Sequence, residues 1–227
     1  MTFTLRKKLI LGFLGIDIAI SFLLGIFMYQ FAYGMFLENY KNHKTSIVNF
    51  ISAMISAEEH KKILSSKEID NSIVQDYIRV LEKVYSNDKS LESIYTVNYD
   101  TKTDKFYYAL CRDKQEKNWV HHMGNEFNSS LHPHERLLDI MRLKSEAELI
   151  SNNSPINLDD RITLYANIFN TKGEPVGLVI IEANTLEVSN FRSQMTIVVI
   201  TLSVFTFLVT SIAAFIFSPF KAFIILI

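Results

Sequence analysis

Residues Arg161 to Ala183 read RITLYANIFNTKGEPVGLVIIEA. Both ends are rich in β-branched and aromatic residues. The middle, Asn170-Thr171-Lys172-Gly173-Glu174, is a turn with a glycine available for positive φ. The stretch predicts two strands, Arg161–Phe169 and Pro175–Ala183, joined as an antiparallel hairpin. Side chains alternate along a strand, so Thr163, Tyr165 and Asn167 share one face. Ile162, Leu164, Ala166 and Ile168 share the other, and this apolar set reads as core.

Downstream, Asn184 and Thr185 can cap a helix. That helix leads into Ser193–Phe220, an uncharged stretch between Arg192 and Lys221. Upstream, Ser151–Asp160 (SNNSPINLDD) is a loop by composition. Pro133 suits the first turn of a short helix through Glu135 to Leu143. Lys117–Met123 reads as a short edge strand. Leu91–Tyr99 and Lys105–Cys111 form a second hairpin around Asp100–Asp104, where no glycine defines the turn type. Before them lies an amphipathic helix with Ile69, Ile73, Val74, Tyr77, Ile78, Leu81, Val84 and Tyr85 on its apolar face. Earlier still, Ile47, Phe50, Ile51, Met54 and Ile55 recur at helical spacing, and the run continues without a break to Ile63 and Leu64.

A second uncharged stretch, Ile18–Leu37, lies near the N-terminus. Each stretch is long enough to cross a bilayer, which takes about 20 apolar residues. Hydrophobic residues make up 48% of the 227-residue chain, ordinary for a protein with two spans. Arg6, Lys7 and Lys8 precede the first span with no acid among them, so they should stay in the cytoplasm. Both chain ends are then cytoplasmic and the middle domain lies outside, in a two-pass membrane protein. Lys221 supports this orientation weakly. A cleavable signal peptide is the rival reading of the first span, but no clean small-residue cleavage site follows it.

Residues 38–192 carry 19 Lys and Arg against 23 Asp and Glu, a net charge of −4. That excludes the basic surface of a nucleic-acid binder. The lone cysteine, Cys111, cannot form an internal disulfide and reads as a small buried hydrophobe. No cofactor motif, nucleophile elbow, phosphate loop or metalloprotease signature is present, so the sequence does not read as an enzyme. Asp17 is the one charge within span one when that span is taken as about Leu9–Tyr33. Near it, Gly12, Gly15 and Ala19 share a helix face. Either this is a seam for close helix contact, or Asp17 is a tolerated polar residue.

The order of long helix, second helix and a strand containing Ile94-Tyr95-Thr96 resembles the extracytoplasmic Cache domains of bacterial sensors. These PAS-like domains occur in chemoreceptors, sensor histidine kinases and membrane-bound nucleotide cyclases. The strongest match is Leu164–Ile181, against a pattern S-A-Y-A-P-I-x-D-x-x-G-x-x-V-G-V-V-G. Tyr165-Ala166, Ile168, Gly173 and Val176-Gly177 stand where the pattern wants them. Asn167 replaces the usual proline. The aspartate typical of the next strand end is absent, with Glu182 and Asn184 nearest. The resemblance implies an α+β fold, with a curved antiparallel sheet on a long N-terminal helix, flanked by two transmembrane helices.

It divides the chain into a cytoplasmic N-terminus (1–8), a first transmembrane helix (9–35), a Cache-like sensor domain (36–192), a second transmembrane helix (193–217) and a juxtamembrane segment (218–227). Ser218-Pro219-Phe220-Lys221 resembles the start of a linker to an output domain that this sequence lacks. Either the chain is a fragment of a receptor, or it signals through a separate output protein.

The resemblance also implies a small-molecule ligand over the central strands. Tyr165 and Asn167 are the better candidates, with Tyr107 or Tyr108 beside them. Arg112 or Arg161 could clamp a carboxylate. On the Lys105–Cys111 strand, strict alternation groups Phe106, Tyr108 and Leu110 against Tyr107, Ala109 and Cys111. The bland alternative is packed tyrosines and solvated arginines. His132 and His134 could converge with His121 or His122 if the chain folds back, but they lack the H-E-x-x-H spacing of a metal site and read as loop histidines. Expected partners are the ligand, membrane lipid and a second copy of the chain, through the stripe Ile47, Phe50, Ile51 and Met54. The alternative function is a membrane-tethered protein-interaction module without signalling output.

Overall fold

The structure is a computed structural model and describes residues 5–66, 72–114, 118–128, 132–143, 148–151 and 161–224. In chain order the elements are α1 (Leu5–Met54), α2 (Ala57–Ser66), α3 (Ser72–Asn87), β1 (Leu91–Asp100), β2 (Lys105–Asp113), α4 (His134–Leu143), β3 (Glu148–Ser151), β4 (Arg161–Phe169), β5 (Pro175–Asn184) and α5 (Leu186–Ile224). They form two units. Met1–Glu38 and Val188–Ile227 make one, and Asn39–Glu187 the other. Residues 152–160 of the expected loop, Ile69 and Lys117 lie outside the described residues.

The second unit is α+β. Its five strands form one antiparallel sheet in the order β2-β1-β5-β4-β3. Both hairpins occur where the sequence places them. In the β4–β5 turn, Gly173 has φ 73°. The Asn170 side chain accepts hydrogen bonds from the amides of Lys172 and Glu174, both at 2.9 Å. The glycine-free β1–β2 turn uses Asp104 at φ 54°, a conformation that Asp tolerates better than most residues. Asp100 anchors that turn by accepting from the Lys102 amide and the Thr103 hydroxyl.

Pairing of β1 with β5 brings the two hairpins together. Gly177 sits at that junction because a Cβ there would lie 2.3 Å from the Val97 carbonyl oxygen. The short strand β3, which pairs with β4, was not foreseen in the sequence.

The first helix does not run unbroken to Leu64. It ends at Met54, and α2 starts at Ala57. Ser56 caps α2, its hydroxyl accepting from the Glu59 amide at 3.4 Å. Ser-x-x-Glu before a helix is a capping-box pattern. Tyr40, Lys44, Val48 and Ile51 form the buried stripe of α1, and Ile55, just past its end, is buried too. Phe50 stays 52% exposed. Lys44 is buried because its ammonium pairs with Asp88, donates to Ser90 Oγ and lies 4.9 Å from the Tyr40 ring centre.

The expected edge strand over residues 117–123 is instead a run of turns where it is described. It still shields the β2 edge. Cys111 N donates to Trp119 O, Tyr108 N to Asn125 O, and Phe127 N to Phe106 O. An edge covered in this way cannot template pairing with another chain.

Helices α1 and α5 each contain a window long and apolar enough to cross a membrane, within Gly15–Met54 and Leu186–Ala213. A Cβ on Gly25 would lie 3.0 Å from a Val199 methyl, so the two helices approach closely there. Phe36 and Phe191 stack at 4.1 Å. No described residue lies within 4 Å of where a Cβ on Gly12 or Gly15 would be, so that small-residue face is open in a single chain.

Candidate functional site

A bulge decides which β2 side chains share a face. Register shifts between Thr96 and Val97, so Thr96 pairs with Leu110 while Val97 pairs with Tyr108. Ala109 is the extra residue. Strict alternation fails across it. Phe106 and Tyr108 share a face with Cys111, whereas Leu110 belongs with Tyr107. The first face, toward α4, also receives Tyr95 and Val97 from β1, Leu178, Ile180 and Glu182 from β5, and Tyr165 and Asn167 from β4. The other face meets the N-terminal helices, as the His60–Asn98 and Arg112–Glu82 contacts show.

On the α4 face lies a buried polar network. Glu182 is 2% exposed. It accepts from Ser93 Oγ at 2.5 Å, His132 Nε2 at 3.0 Å and Arg161 Nη1 at 3.4 Å. Arg161 also pairs through Nε with Glu92 at 2.7 Å. Burial alone would push the Glu182 carboxyl upward. The bonds from His132 and Ser93 and the nearby charges of His132 and Arg161 outweigh it and hold the pKa below the usual range. Glu182 is therefore an anion. His132 donates to it through Nε2–H, leaving Nδ1 at 2.7 Å from the Tyr165 hydroxyl.

Aromatic rings surround the network. Tyr95 lies edge-on to Tyr108 at 6.1 Å, Phe127 at 6.1 Å and His132 at 6.3 Å. Tyr108 meets Phe127 at 4.8 Å. Burial raises the Tyr95 phenol well above its ordinary pKa and the Tyr108 phenol to about 12, so both are neutral donors. The face thus presents one fixed anion, an imidazole with two hydrogen-bonded nitrogens, a guanidinium at the edge and phenolic rings. Such a set suits a small polar molecule with an apolar part.

Of the six residues singled out in the sequence, four share this face. Tyr108 and Tyr165 belong to the aromatic cluster. Arg161 stands at the edge, 54% exposed. Asn167 is buried, and its Nδ2 donates to the Ile140 carbonyl of α4 at 3.2 Å. Tyr107 and Arg112 are on the opposite face. The Tyr107 hydroxyl lies 3.2 Å from Thr103 Oγ1. Arg112 pairs with Glu82 at 3.0 Å and lies over the Tyr85 and Trp119 rings, at 4.8 and 5.7 Å.

Ser93, Tyr95 and His132 were not singled out as site residues, and Glu182 only as a stand-in for an aspartate. The available signal was one acid in the apolar run PVGLVIIEA. The histidines do not converge. His132 is buried in the network, His134 lies 3.5 Å from Asp104, and His122 packs on Tyr108. Among the described residues no group of three or more His, Cys, Asp or Glu side chains is arranged to hold a metal.

No family model matches the chain, and no curated protein does. Solved structures with a similar arrangement include the ligand-binding domain of the Campylobacter jejuni chemoreceptor Tlp3 in complex with L-valine. That match has 12% identity and a TM-score of 0.43, covering 82% of this chain and 66% of that one. The Escherichia coli DcuS sensor domain matches at 12% identity and a TM-score of 0.37, covering 66% of this chain and 91% of that one. The periplasmic domain of RsbU from Chlamydia trachomatis matches at 12% and 0.32, covering 69% and 58%. At these values the likeness assigns neither a family nor a ligand. This chain spans slightly less than two thirds of the Tlp3 domain.

Proposed function

We propose that this chain is the membrane-anchored, extracytoplasmic sensing region of a bacterial receptor, of the Cache (PAS-like) type, and that a small molecule binds on the α4 face of the sheet. The observation that carries this reading is the buried, ionised Glu182, held by Ser93, His132 and Arg161 among aromatic rings, in a domain bracketed by two span-length apolar segments. A buried charge is costly and persists only where partners compensate it. Tyr108, Arg161, Tyr165 and Asn167 are the ligand-facing members of the sequence set.

Glu182 is also two residues from Asn184. The Asn184 amide donates to Ser90 O at 2.8 Å. Its side chain accepts from the Leu186 amide at 3.2 Å and so caps α5, and its carbonyl accepts from the Tyr40 hydroxyl of α1 at 2.7 Å. A ligand that binds two arrangements of this junction unequally would shift their populations.

Thermal melting of the full chain in nanodiscs, screened against amino acids, organic acids and amines, tests the site. Trp119 fluorescence is the reporter, since the only tryptophan is in this domain. A ligand that stabilises the domain should bind roughly 10- to 100-fold more weakly to Glu182→Gln, because a hydrogen bond to a charged group contributes about 1.5–3 kcal/mol. Tyr107→Phe, on the opposite face, should leave its affinity unchanged. A ligand indifferent to both Glu182→Gln and Tyr165→Phe would place the site elsewhere.

The receptor reading includes an external domain and a second copy of the chain. Ile51 and Ile55 are buried within the domain, which leaves Ile47, Phe50 and Met54 of the α1 stripe for a partner helix. Phe50→Cys in a Cys111→Ser background should give a dimer when intact cells are treated with a membrane-impermeant bis-maleimide. Labelling only after lysis would invert the topology. Labelling of intact cells without dimer would argue for a monomer.

A further inference from the structure

Span one and span two together contain a single charged residue, Asp17, and no Lys or Arg. Asp17 lines a cavity of about 220 Å³ between α1 and α5, with Ser21, Phe22, Ser203 and Phe207 among its walls. The Asp17 Oδ2 atom is buried and has no hydrogen-bond partner among the described residues. The Ser203 hydroxyl does not serve it, because it donates to the Val199 carbonyl at 2.8 Å.

A buried acceptor without a donor is unfavourable in protein and more so in hydrocarbon, where intramembrane acids are paired or functional. No side chain of either span can supply the cation. The cavity is smaller than the roughly 300–1,000 Å³ of sites for drug-sized molecules, so its occupant is small. Its walls are otherwise largely apolar and include two phenylalanines, a ring type that attracts cations.

We propose that this intramembrane niche binds a small lipophilic monocation, an ammonium group on an apolar or aromatic body, which enters from the hydrocarbon layer and pairs with the Asp17 carboxylate. The site is separate from the sheet face and does not depend on a ligand there.

The test uses the full chain in zwitterionic phosphatidylcholine nanodiscs and radiolabelled phenyltrimethylammonium, with empty nanodiscs as background. Saturable binding is expected at one site per chain. Asp17→Asn should weaken it at least tenfold, whereas Asp17→Glu should retain it. The uncharged isostere tert-butylbenzene should not compete. Equal binding by Asp17→Asn, equal competition by tert-butylbenzene, or no saturable binding would each overturn the proposal. Complete oxidative crosslinking of Ser21→Cys, in a Cys111→Ser background, would also overturn it by giving the niche to a second copy.

Discussion

Replacing His132 with alanine is expected to destabilise the Asn39–Glu187 unit by about 3–5 kcal/mol, the usual cost of breaking one side of a buried ionic contact. The imidazole serves two buried groups, the Glu182 carboxylate at 3.0 Å and the Tyr165 hydroxyl at 2.7 Å. Its loss leaves Glu182 with only Ser93 and the more distant Arg161, and it removes a partner from a phenol that is 1% exposed. A cavity next to Phe127, whose ring centre is 5.7 Å from the imidazole, adds to the cost. For a domain of this size the melting temperature should fall by roughly 10 °C. Trp119 fluorescence during thermal melting reads the change.

The pair should be strongly non-additive. Glu182→Gln together with His132→Ala should cost clearly less than the sum of the two single changes, because each single change strands the other group. A His132→Ala effect below about 1 kcal/mol would mean that the network does not hold the loop before α4 to the sheet.

The second large effect is an acid sensitivity centred on a different histidine. His60, in α2, is fully buried. Its Nδ1 lies 2.7 Å from Asn98 Oδ1, and Asn98 Nδ2 donates back to the His60 carbonyl at 2.9 Å. Nε2 has no partner among the described residues. Burial lowers the pKa from 6.5 to about 4, against a smaller upward pull from the Asn98 bond.

The unfolded chain therefore binds a proton between about pH 4 and 6.5 that the folded chain refuses. Stability from this group is complete above about pH 6.5 and is lost as pH falls toward 4. Between pH 7 and 4.5 the loss is about 2–3 kcal/mol, from the difference between the two pKa values. Urea denaturation at the two pH values, for the native chain and for His60→Gln, measures it. The native chain should lose about that much more than the variant. Equal losses would assign the acid sensitivity to other groups. Below the ordinary carboxylate range a further decline should follow. Asp88 and Glu182 both have depressed folded pKa values, and each contributes stability that disappears as it is protonated.

Local chemistry alone was enough for most of the elements, though not for β3, the break between Met54 and Ala57 or the turns over 118–123. The RITLYANIF and PVGLVIIEA strands, the Gly173 turn and the two apolar stretches follow from periodicity, turn residues and segment length, which neighbours in sequence determine. The core set Ile162, Leu164, Ala166 and Ile168 followed from the same period of two. Those signals are short in range, and the site is not. Ser93 and Glu182 meet only because β1 pairs with β5, and His132 reaches them from a loop fifty residues before Glu182.

One added residue, Ala109, moved Tyr108 onto the α4 face and left Tyr107 and Arg112 on the other, since a one-residue shift reverses every side chain beyond it. Nothing in KFYYALC marks that bulge. The break at Ser56 was readable as a capping box, but the apolar spacing of Ile51, Ile55 and Ile63 continues across it and hides it. The sequence by itself determined the two hairpins, most of the helices and the two long apolar segments, because those depend on contacts within a few residues. Only the tertiary structure decided which side chains share a face and which buried charge has which partner, because both depend on the pairing of strands distant in the chain.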